Sequence, residues 1–526
     1  MNSVTMNDDV TGNETLWTLM MSWANTHGDS AFAMYTEPPY TEGSSTTIGW
    51  TTAAETTYEL RQRLGAVGVA EQQVVLLALP NSPAAILTLI AVAANGAIAH
   101  TIDPDLGFLS LTSAIDATHP VAVVATTTNA QAISRAIASS TRNPALFVVE
   151  DPSMQRGSSS ISGLPETRRT PYDVGPDEIA ALLPTSGTSG PSKLVELTHR
   201  NYVTAGNRLV RNSAHGVGDR FYACSPFFHT NAQMYCYMPA LILGASISIV
   251  PGFSASRYFD VARFTGVTVS SMVASPMRMA LHRATEEGRA IDPGALRLIQ
   301  YGQQLSSADW ALWDRHLPQV EMRQVYGQTE TVSIVLAGAP WEADDRRTIG
   351  RPALGIDAVK LVDETGRAVD TGAPGELLVR GEPGRTLMRG YWRNPTATAA
   401  ALDTDGWLHT GDIMQRERNG RFVFVGRRMH IIRRAGENVS SYELELLMQN
   451  CPLIEDAAVR AEVDEALDAR IVVHVIPSEG FTESGFASWC RESIGKRGVP
   501  DAIRTHSSFP RTPSGRVIAR ELDTAP

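Results

Sequence analysis

The sequence predicts an α/β protein with a large N-terminal domain and a small α+β C-terminal domain. Its 526 residues are too many for one ordinary hydrophobic core, so at least two domains are expected. Strand-like and helix-like runs alternate through the first part, as they do in doubly wound parallel sheets. Beyond about residue 350 short strands and turns replace this alternation, which indicates a β-rich subdomain.

The N-terminal part shows this alternation most clearly. Strands are predicted at 74–79, 97–102, 121–125 and 146–150, with a helix beginning after Ser82-Pro83. These runs predict βαβ units and a largely parallel sheet. The polar stretch 155–170, rich in Ser, Gly and Arg, predicts an exposed connection.

The alternation continues from about 200 to 330, and the β-rich subdomain is expected between about 350 and 425. We place the boundary between the two domains after Gly426-Arg427, which gives an N-terminal domain of 1–427 and a C-terminal domain of 428–526. The C-terminal domain is expected to contain a helix that opens at Ser440, with Glu443 at the capping-box position. No repeat of fixed period is present, which excludes solenoids and propellers.

Composition favours small-molecule chemistry. Hydrophobic residues make up 43% of the chain and charged residues 19%, as expected of a globular protein with a large core. The formal net charge of −11 argues against a nucleic-acid partner, which requires a basic face.

Cysteine usage and the N-terminus favour the cytoplasm. The four cysteines lack CxxC spacing and disulfide-like density, as in a reducing compartment. The N-terminal residues lack the basic region and apolar core of a signal peptide. The most apolar run, 83–94, is too short to cross a bilayer and ends at Asn95-Gly96. We therefore expect no membrane anchor. The expected oligomeric state is a monomer or a homodimer.

Residues 182–201, LLPTSGTSGPSKLVELTHRN, are the most informative stretch. Small residues let backbone N–H groups approach phosphate oxygens, hydroxyls add donors, and Lys193 adds a positive charge. The spacing is not that of the GxxxxGK[ST] loop, because 194–197 look like a strand instead of a helix. A Ser/Gly/Thr-rich stretch by itself is usually a linker, so the neighbouring motifs must decide.

This stretch resembles the TSGTTGxPKG motif of the adenylate-forming superfamily, which includes acyl-CoA synthetases, luciferases and the adenylation domains of peptide synthetases. Further stretches follow in the order of the family. They are YGQTE at 326–330, TGD at 410–412, GR at 426–427, RRAGENVSSYELE at 433–445 and PRTPSGR at 510–516. The resemblance covers nearly the whole chain, so the sequence is identified as a member of this superfamily.

The resemblance implies a nucleotide site and gives a role to each matched residue. The loop would hold the leaving pyrophosphate with Thr185, Ser186, Gly187, Thr188, Ser189, Gly190 and Lys193. Glu330 would help to hold Mg²⁺, and Tyr326 would lie against adenine, followed by Gly327, Gln328 and Thr329. Asp412 would accept hydrogen bonds from the ribose hydroxyls with the help of Arg427. Gly302, Gln303 and Gln304 would border both nucleotide and acid, and Gly436 would border the pantetheine tunnel.

Two positions depart from the family. The catalytic lysine after Gly in PRTxxGK is replaced by Arg516, which keeps the charge but is bulkier, planar and forked. Under one interpretation, this replacement makes adenylation slower or differently arranged. Under the other, Arg516 bridges the carboxylate and the α-phosphate. The resemblance also implies a hinge that makes the C-terminal domain mobile, and there Arg428-Met429-His430 replaces the usual basic–acidic pair. His430 either tunes domain rotation or is a solvated linker residue.

The acid side is predicted in 225–241, which resembles the family segment that flanks the acyl group. Phe227, Phe228, His229, Met234 and Tyr237 are candidates, although aromatic and methionine side chains at such spacings are usually core. We therefore prefer His229, Asn231 and Gln233, with His229 among the catalytic candidates. No aspartate is evident where peptide-synthetase domains hold an α-amino group, which favours a largely apolar carboxylic acid.

The expected activity follows from these matches. An ionised carboxylate attacks the α-phosphorus of ATP directly, so positioning and charge neutralisation carry the catalysis. GENVSSYE looks most like medium-chain and carnitine-type CoA ligases, so the leading hypothesis is an acyl-CoA synthetase with ATP, Mg²⁺ and the co-substrate CoA. Transfer of the acyl group to an amine or a carrier protein stays open. A non-catalytic nucleotide-binding homologue is the more distant alternative.

Overall fold

The computed structural model describes residues 13–164, 173–185, 193–286, 290–342, 345–427, 431–434, 437–464, 468–494, 498–512 and 515–522. Its helices are α1 (Leu16–His27), α2 (Trp50–Ala66), α3 (Pro83–Ala93), α4 (Phe108–Thr118), α5 (Ala130–Ser139), α6 (His199–Ser213), α7 (Thr230–Ala232), α8 (Met238–Leu243), α9 (Tyr258–Thr265), α10 (Ala274–Glu286), α11 (Ser307–His316), α12 (Pro395–Ala401), α13 (Ser441–Met448) and α14 (Glu483–Ser493). A π-helical turn, Gln233–Tyr237, joins α7 to α8.

The strands follow the same chain order. Those up to residue 184 are β1 (Ala31–Thr36), β2 (Ser45–Gly49), β3 (Val74–Leu77), β4 (Ile98–Thr101), β5 (Ala122–Thr126), β6 (Ala145–Val149), β7 (Ile161–Ser162) and β8 (Ile179–Pro184). Those up to residue 352 are β9 (Leu194–Thr198), β10 (Arg220–Ala223), β11 (Ser246–Ile249), β12 (Val269–Val273), β13 (Leu298–Gly302), β14 (Glu321–Gly327), β15 (Ile334–Ala337) and β16 (Arg351–Pro352). The others are β17 (Ala358–Val362), β18 (Pro374–Arg380), β19 (Gly390–Tyr391), β20 (Trp407–Arg416), β21 (Phe422–Arg427), β22 (Ile431–Arg434), β23 (Glu437–Ser440), β24 (Ile454–Asp464), β25 (Asp468–Pro477) and β26 (Ala502–Thr505).

Two large sheets dominate the described residues. One has the order β16-β15-β14-β13-β12-β10-β11-β1-β2 and the other β19-β9-β8-β4-β3-β5-β6-β7. Parallel pairing runs through the middle of both, from β1 to β14 in the first and from β8 to β6 in the second. Antiparallel strands lie at the edges, so the prediction of largely parallel sheets is confirmed.

Helix α3 shows how the sequence builds this core. The hydroxyl of Ser82 accepts a hydrogen bond from the Ala85 N–H, and Pro83 occupies the first turn, where its missing donor costs nothing. Every residue of the helix is buried. Since an all-round apolar helix is stable in water only when it is covered, α3 packs inside the domain against α2 and the sheet that contains β4 and β8.

The predicted β-rich subdomain is the four-stranded sheet β17-β18-β20-β21, in which all neighbours pair antiparallel. The expectation of an exposed connection at 155–170 holds for Gln155, Arg156 and Ser159, which are exposed, and is wrong for Ser160, Ile161 and Leu164, which are buried. There the chain forms a 3-10 turn and strand β7, with Ser160 fully buried and Ile161 2% exposed. Pairing of β7 with β6 covers residues that composition alone assigns to solvent; 165–172 lie outside the described residues.

The C-terminal part is α+β, as predicted, with the sheet β24-β25-β26, the hairpin β22-β23, and the helices α13 and α14. Its own core includes Leu444, Met448, Ile471, Val473 and Phe486. The boundary at 427/428 stays a prediction, because 428–430 lie outside the described residues. Among the described residues, no helix combines the length and apolar character needed to cross a membrane.

Candidate active site

A buried carboxylate, Asp412 of β20, is the centre of the candidate nucleotide site. Its side chain is 2% exposed and receives hydrogen bonds from Tyr326 Oη at 2.7 Å and Gln328 Nε2 at 2.6 Å. Arg427 Nε donates to the other carboxylate oxygen at 3.0 Å, because β20 and β21 pair Asp412 with Arg427. A buried charge requires such partners, and here three donors neutralise and orient it.

The YGQTE motif lies at the end of β14 and turns sharply. A Cβ on Gly327 would lie 2.2 Å from the Ser333 carbonyl oxygen, so only glycine fits there. The Gln328 side chain bridges from this turn to Thr410 O and Asp412. Thr329 Oγ1 lies 2.6 Å from Thr230 Oγ1, so the same turn also contacts the predicted acid segment.

Glu330 and Lys193, at one end of the phosphate loop, both contact Tyr391 of β19. Tyr391 Oη donates a hydrogen bond of 2.8 Å to Glu330 Oε1, and Lys193 Nζ lies 4.6 Å from the Tyr391 ring centroid. The Thr185 N–H donates to the Lys193 carbonyl at 2.8 Å, which closes the base of the loop. The predictions at Ser186, Gly187, Thr188, Ser189 and Gly190 lie outside the described residues.

Gly302 ends β13, and Gln303 and Gln304 follow it in a turn, so the predicted strand and turn are present. Gln303 has a φ of 73°, and its carbonyl accepts a hydrogen bond of 3.1 Å from Gln324 Nε2. The Gln304 N–H donates to Tyr442 Oη of the C-terminal part at 3.0 Å. A Cβ on Gly302 would meet only a Val273 methyl, at 4.0 Å, so this residue borders open space.

Arg516 reaches this site from the C-terminal part. A tight turn presents it, with the Thr512 N–H bonded to Arg516 O at 2.7 Å and Gly515 at a φ of 80°. Burial and the neighbouring Arg427 charge lower the pKa of Arg516 to about 10, against the opposing influence of Asp412, Tyr442 and Glu330. The guanidinium therefore stays charged at neutral pH, amid the predicted nucleotide residues.

The acid-side prediction divides in two. Phe227, Met234 and Tyr237 are buried in the core, and Phe227 and Tyr237 line an apolar cavity of about 30 Å³. Gln233 also belongs to this core, with its amide hydrogen-bonded to Phe227 O, Thr101 and Tyr202.

His229 and Asn231 differ from these core residues. Burial, with a smaller contribution from Arg516, lowers the pKa of His229 to about 4, so the imidazole is neutral at pH 7. Its Nε2 and the Asn231 Oδ1 are both buried without a hydrogen-bond partner among the described residues. Asn231 Nδ2 is fixed by Ser271 Oγ at 2.9 Å. Phe228 packs beside His229, with ring centroids 4.5 Å apart.

Sequence reasoning missed four residues of this site: Thr230, Gln324, Tyr391 and Tyr442. Each acts through a contact that only the fold creates, such as the bond from Tyr391 to Glu330, 61 positions apart in the chain. Two further predictions, Gly436 and the hinge Arg428-Met429-His430, lie outside the described residues.

The fold and this site define an α/β protein whose C-terminal part brings Arg516 close to the buried Asp412 carboxylate. A model of the AMP-binding enzyme family matches residues 21–392. The chain therefore belongs to the AMP-binding enzyme family, as the motifs predicted.

One curated protein and two solved structures illustrate what the chain is similar to. The crotonobetaine/carnitine–CoA ligase of Salmonella arizonae is 33% identical over 350 residues, which are 66% of this chain and 67% of that protein. Among solved structures, the anthranilate CoA ligase AuaEII in complex with anthranoyl-AMP has a TM-score of 0.85 at 20% identity and 98% coverage of both chains. The O-succinylbenzoate CoA synthetase of Bacillus subtilis, in complex with ATP and magnesium ion, has a TM-score of 0.82 at 20% identity, covering 97% of this chain and 100% of that one. These two likenesses show the fold.

Proposed function

We propose that the protein activates a carboxylic acid with ATP as its acyl-adenylate and then transfers the acyl group to CoA. A carboxylate oxygen bonds to the α-phosphorus while the bond to the bridging oxygen breaks and pyrophosphate leaves. The CoA thiolate then attacks the acyl carbon and AMP leaves. The observation that carries this proposal is the convergence of Arg516 with Asp412, Arg427 and Glu330, which supplies both a ribose anchor and cationic charge.

Asp412 and its partners would bind the nucleoside. Asp412 Oδ2 already accepts hydrogen bonds from Tyr326 and Gln328, whereas Oδ1 accepts one from Arg427, so Oδ1 keeps a lone pair that would accept a hydrogen bond from a ribose hydroxyl. The prediction that Tyr326 lies against adenine is retained within this proposal. A flat aromatic side chain fixed at its hydroxyl is suited to that role.

Glu330 and the loop ends would hold the triphosphate. Mg²⁺ is bound in such sites by one or two carboxylates together with phosphate oxygens, and the Glu330 carboxylate beside the phosphate lysine fits that donor set. When bound, the ion would neutralise phosphate charge. Lys193 rests on the Tyr391 ring and is exposed, so it is free to turn toward the phosphates, and Thr185 would add a hydroxyl.

Arg516 would neutralise the charge that develops as carboxylate and α-phosphate approach one another. A planar guanidinium can donate to both groups at once, which suits the bridging interpretation of the substitution for lysine. His229, neutral at pH 7, would donate or accept one hydrogen bond near the acid instead of adding charge. Asn231 would supply a second polar contact from the same segment.

CoA is the preferred acceptor because the relative that is 33% identical is a CoA ligase. The chain spans about two thirds of the length of that relative. Transfer to an amine or a carrier protein remains the alternative, with Gly436 proposed at the pantetheine tunnel only if CoA is used.

Acid-dependent pyrophosphate release tests this proposal. The full chain is incubated with Mg-ATP and a panel of carboxylic acids, with no acceptor, with CoA, or with a mixture of amines. Thioester formation with CoA is the expected result. Turnover only with amines would move the protein to amide ligation, and ATP binding with no pyrophosphate release across the panel would indicate a non-catalytic homologue.

The cellular setting is also part of the proposal. All four cysteines, Cys224, Cys236, Cys451 and Cys490, are buried and free, which supports the cytoplasm as a reducing compartment. Fractionation of cells that express the native chain tests this location. Light scattering distinguishes the monomer from the homodimer.

A further inference from the structure

Tyr442 joins the two parts of the molecule at the active site. It lies in the first turn of α13, in the C-terminal part, and its hydroxyl accepts a hydrogen bond of 3.0 Å from the Gln304 N–H. Its ring meets Phe424 of β21 edge-on, with centroids 4.9 Å apart at 85°. One side chain thus contacts the turn after β13 and the strand that leads to Arg427.

Tyr442 also lies close to Arg516. The two side chains act on each other electrostatically, since each alters the pKa of the other. Burial is the main cause that raises the pKa of Tyr442 to about 12, so its hydroxyl is protonated at neutral pH. Tyr442 therefore contacts the Gln304 turn and lies within electrostatic range of the cation that the C-terminal part delivers.

Polar contacts from residues just beyond the C-terminal end of α13 extend this contact surface. Arg278 Nη2 donates to Gln449 Oε1 at 2.7 Å, and the Ala308 N–H donates to Asn450 Oδ1 at 3.4 Å. Arg278 is also bound to Asp309 of α11 at 3.1 Å, so it keeps a partner when Gln449 moves away. Such bonds break and form without leaving a buried charge unpaired, which suits a reversible contact.

We propose that Tyr442 is a positioning residue for adenylation: its contacts with Gln304 and Phe424 hold the C-terminal part where Arg516 reaches the nucleotide site. This inference rests on the proposed function, in which Arg516 acts in the first half-reaction. Loss of the Tyr442 hydroxyl then weakens the adenylating arrangement and leaves the transfer of an existing acyl group to the acceptor intact.

Comparison of the two half-reactions in Tyr442→Phe tests the inference. The variant keeps the ring against Phe424 and removes one hydrogen bond, so acid-dependent exchange of labelled pyrophosphate into ATP should fall about fivefold. Reaction of purified acyl-adenylate with the acceptor should stay within about twofold of the unmodified protein, since that step does not need Arg516 at the phosphate. Tyr58→Phe, at a 40% exposed tyrosine of α2, is the matched control and should change neither step.

Gln449→Ala provides a second variant. It removes a bond of the same surface outside the nucleotide site. It should lower the rate of pyrophosphate–ATP exchange, but by less than Tyr442→Phe does. An equal loss in both half-reactions of Tyr442→Phe would overturn the inference, since that pattern indicates a general structural defect. An unchanged rate of pyrophosphate–ATP exchange in Tyr442→Phe would overturn the inference as well.

A measurement that needs no catalysis separates this inference from the proposed function. Amide hydrogen exchange at Gln304 should be roughly tenfold faster in Tyr442→Phe, because its acceptor is lost. Unchanged exchange at Gln304 would refute the contact. A wild-type protein with no pyrophosphate exchange, but with a Gln304 amide that is protected by Tyr442, would instead refute the proposed function and leave the contact standing.

Discussion

The nucleotide side and the acid side of this site are built differently. On the nucleotide side the Asp412 carboxylate has three side-chain donors, and Glu330 receives a hydrogen bond from Tyr391. On the acid side His229 Nε2 and Asn231 Oδ1 are buried without a partner among the described residues. The first is satisfied before any ligand binds, whereas the second has polar atoms whose hydrogen bonds a ligand can complete.

This difference distinguishes recognition of the nucleotide, which the family shares, from recognition of the acid, which is particular to each enzyme. Every member of an ATP-using family must bind the same nucleotide, so a fixed, satisfied network serves all of them and is encoded in short motifs. The acid differs from enzyme to enzyme, and its contacts come from a helix start whose residues resemble core. Variants on the two sides should therefore fail in different ways.

Loss of Arg516 should have the largest effect. Arg516→Ala removes the cation delivered by the C-terminal part, and we expect adenylation to fall about 100-fold or more. Single-turnover formation of acyl-adenylate measures it. Arg504→Ala, at a partly exposed arginine that pairs with Glu462, should stay within about twofold. An equal loss in both variants would contradict a specific role for Arg516.

Replacement of Arg516 by lysine sharpens this prediction. Lysine starts about 2 pKa units below arginine, and the same burial and the same Arg427 charge would lower its pKa further. Because only the protonated form is cationic, the activity of Arg516→Lys should decline at a pH about 2 units lower than that of the unmodified protein. If both proteins lost activity at the same alkaline pH, burial and the Arg427 charge would not determine the ionisation of the side chain at position 516.

The Asp412 network comes next. Asp412→Asn keeps the shape but removes the charge that faces Arg427, and we expect kcat/KM for ATP to fall about 100-fold with KM for the acid little changed. Asp405→Asn makes the same substitution in an exposed turn before β20 and is the control. If Asp412→Asn changed acid selectivity and left the ATP parameters intact, the division into two sides would be wrong.

Asn231→Ala should show the opposite pattern. Removal of one uncharged polar contact should lower kcat/KM for the preferred acid about tenfold and leave KM for ATP within about twofold. The acid panel, run with both proteins, reports a change in ranking as well as in rate. Asn419→Ala in an exposed turn is the control. Equal losses for every acid and for ATP would place Asn231 among the structural residues.

The smallest expected effect concerns His229. Its folded-state pKa of about 4 lies below the ordinary value of 6.5, so the imidazole is neutral throughout pH 6–8 and its ionisation should leave kcat/KM flat there. The folded state also binds fewer protons, so this group contributes stability above pH 6.5 that is lost as pH falls toward 4. An acid limb near pH 6.5 that vanishes in His229→Gln would contradict this.

The same division explains what the sequence could predict. Periodic apolar runs predicted α3 and the parallel strands, and ordered motifs predicted which residues meet around Asp412. The contact of Tyr442 with Gln304 spans 138 positions, and nothing local in either segment indicates it. The burial of Ser160 and Ile161 was missed because a polar stretch looks solvated unless the strand that covers it is known.

The central claim is that a carboxylate oxygen attacks the α-phosphorus at this site, and oxygen transfer tests it most directly. The preferred acid, labelled with ¹⁸O in its carboxylate, is turned over with Mg-ATP and CoA. The ¹⁸O content of AMP and pyrophosphate is then measured by mass spectrometry. The account predicts one labelled oxygen in AMP and none in pyrophosphate. Label in inorganic phosphate with ADP as the nucleotide product, or no label in AMP, would contradict an acyl-adenylate.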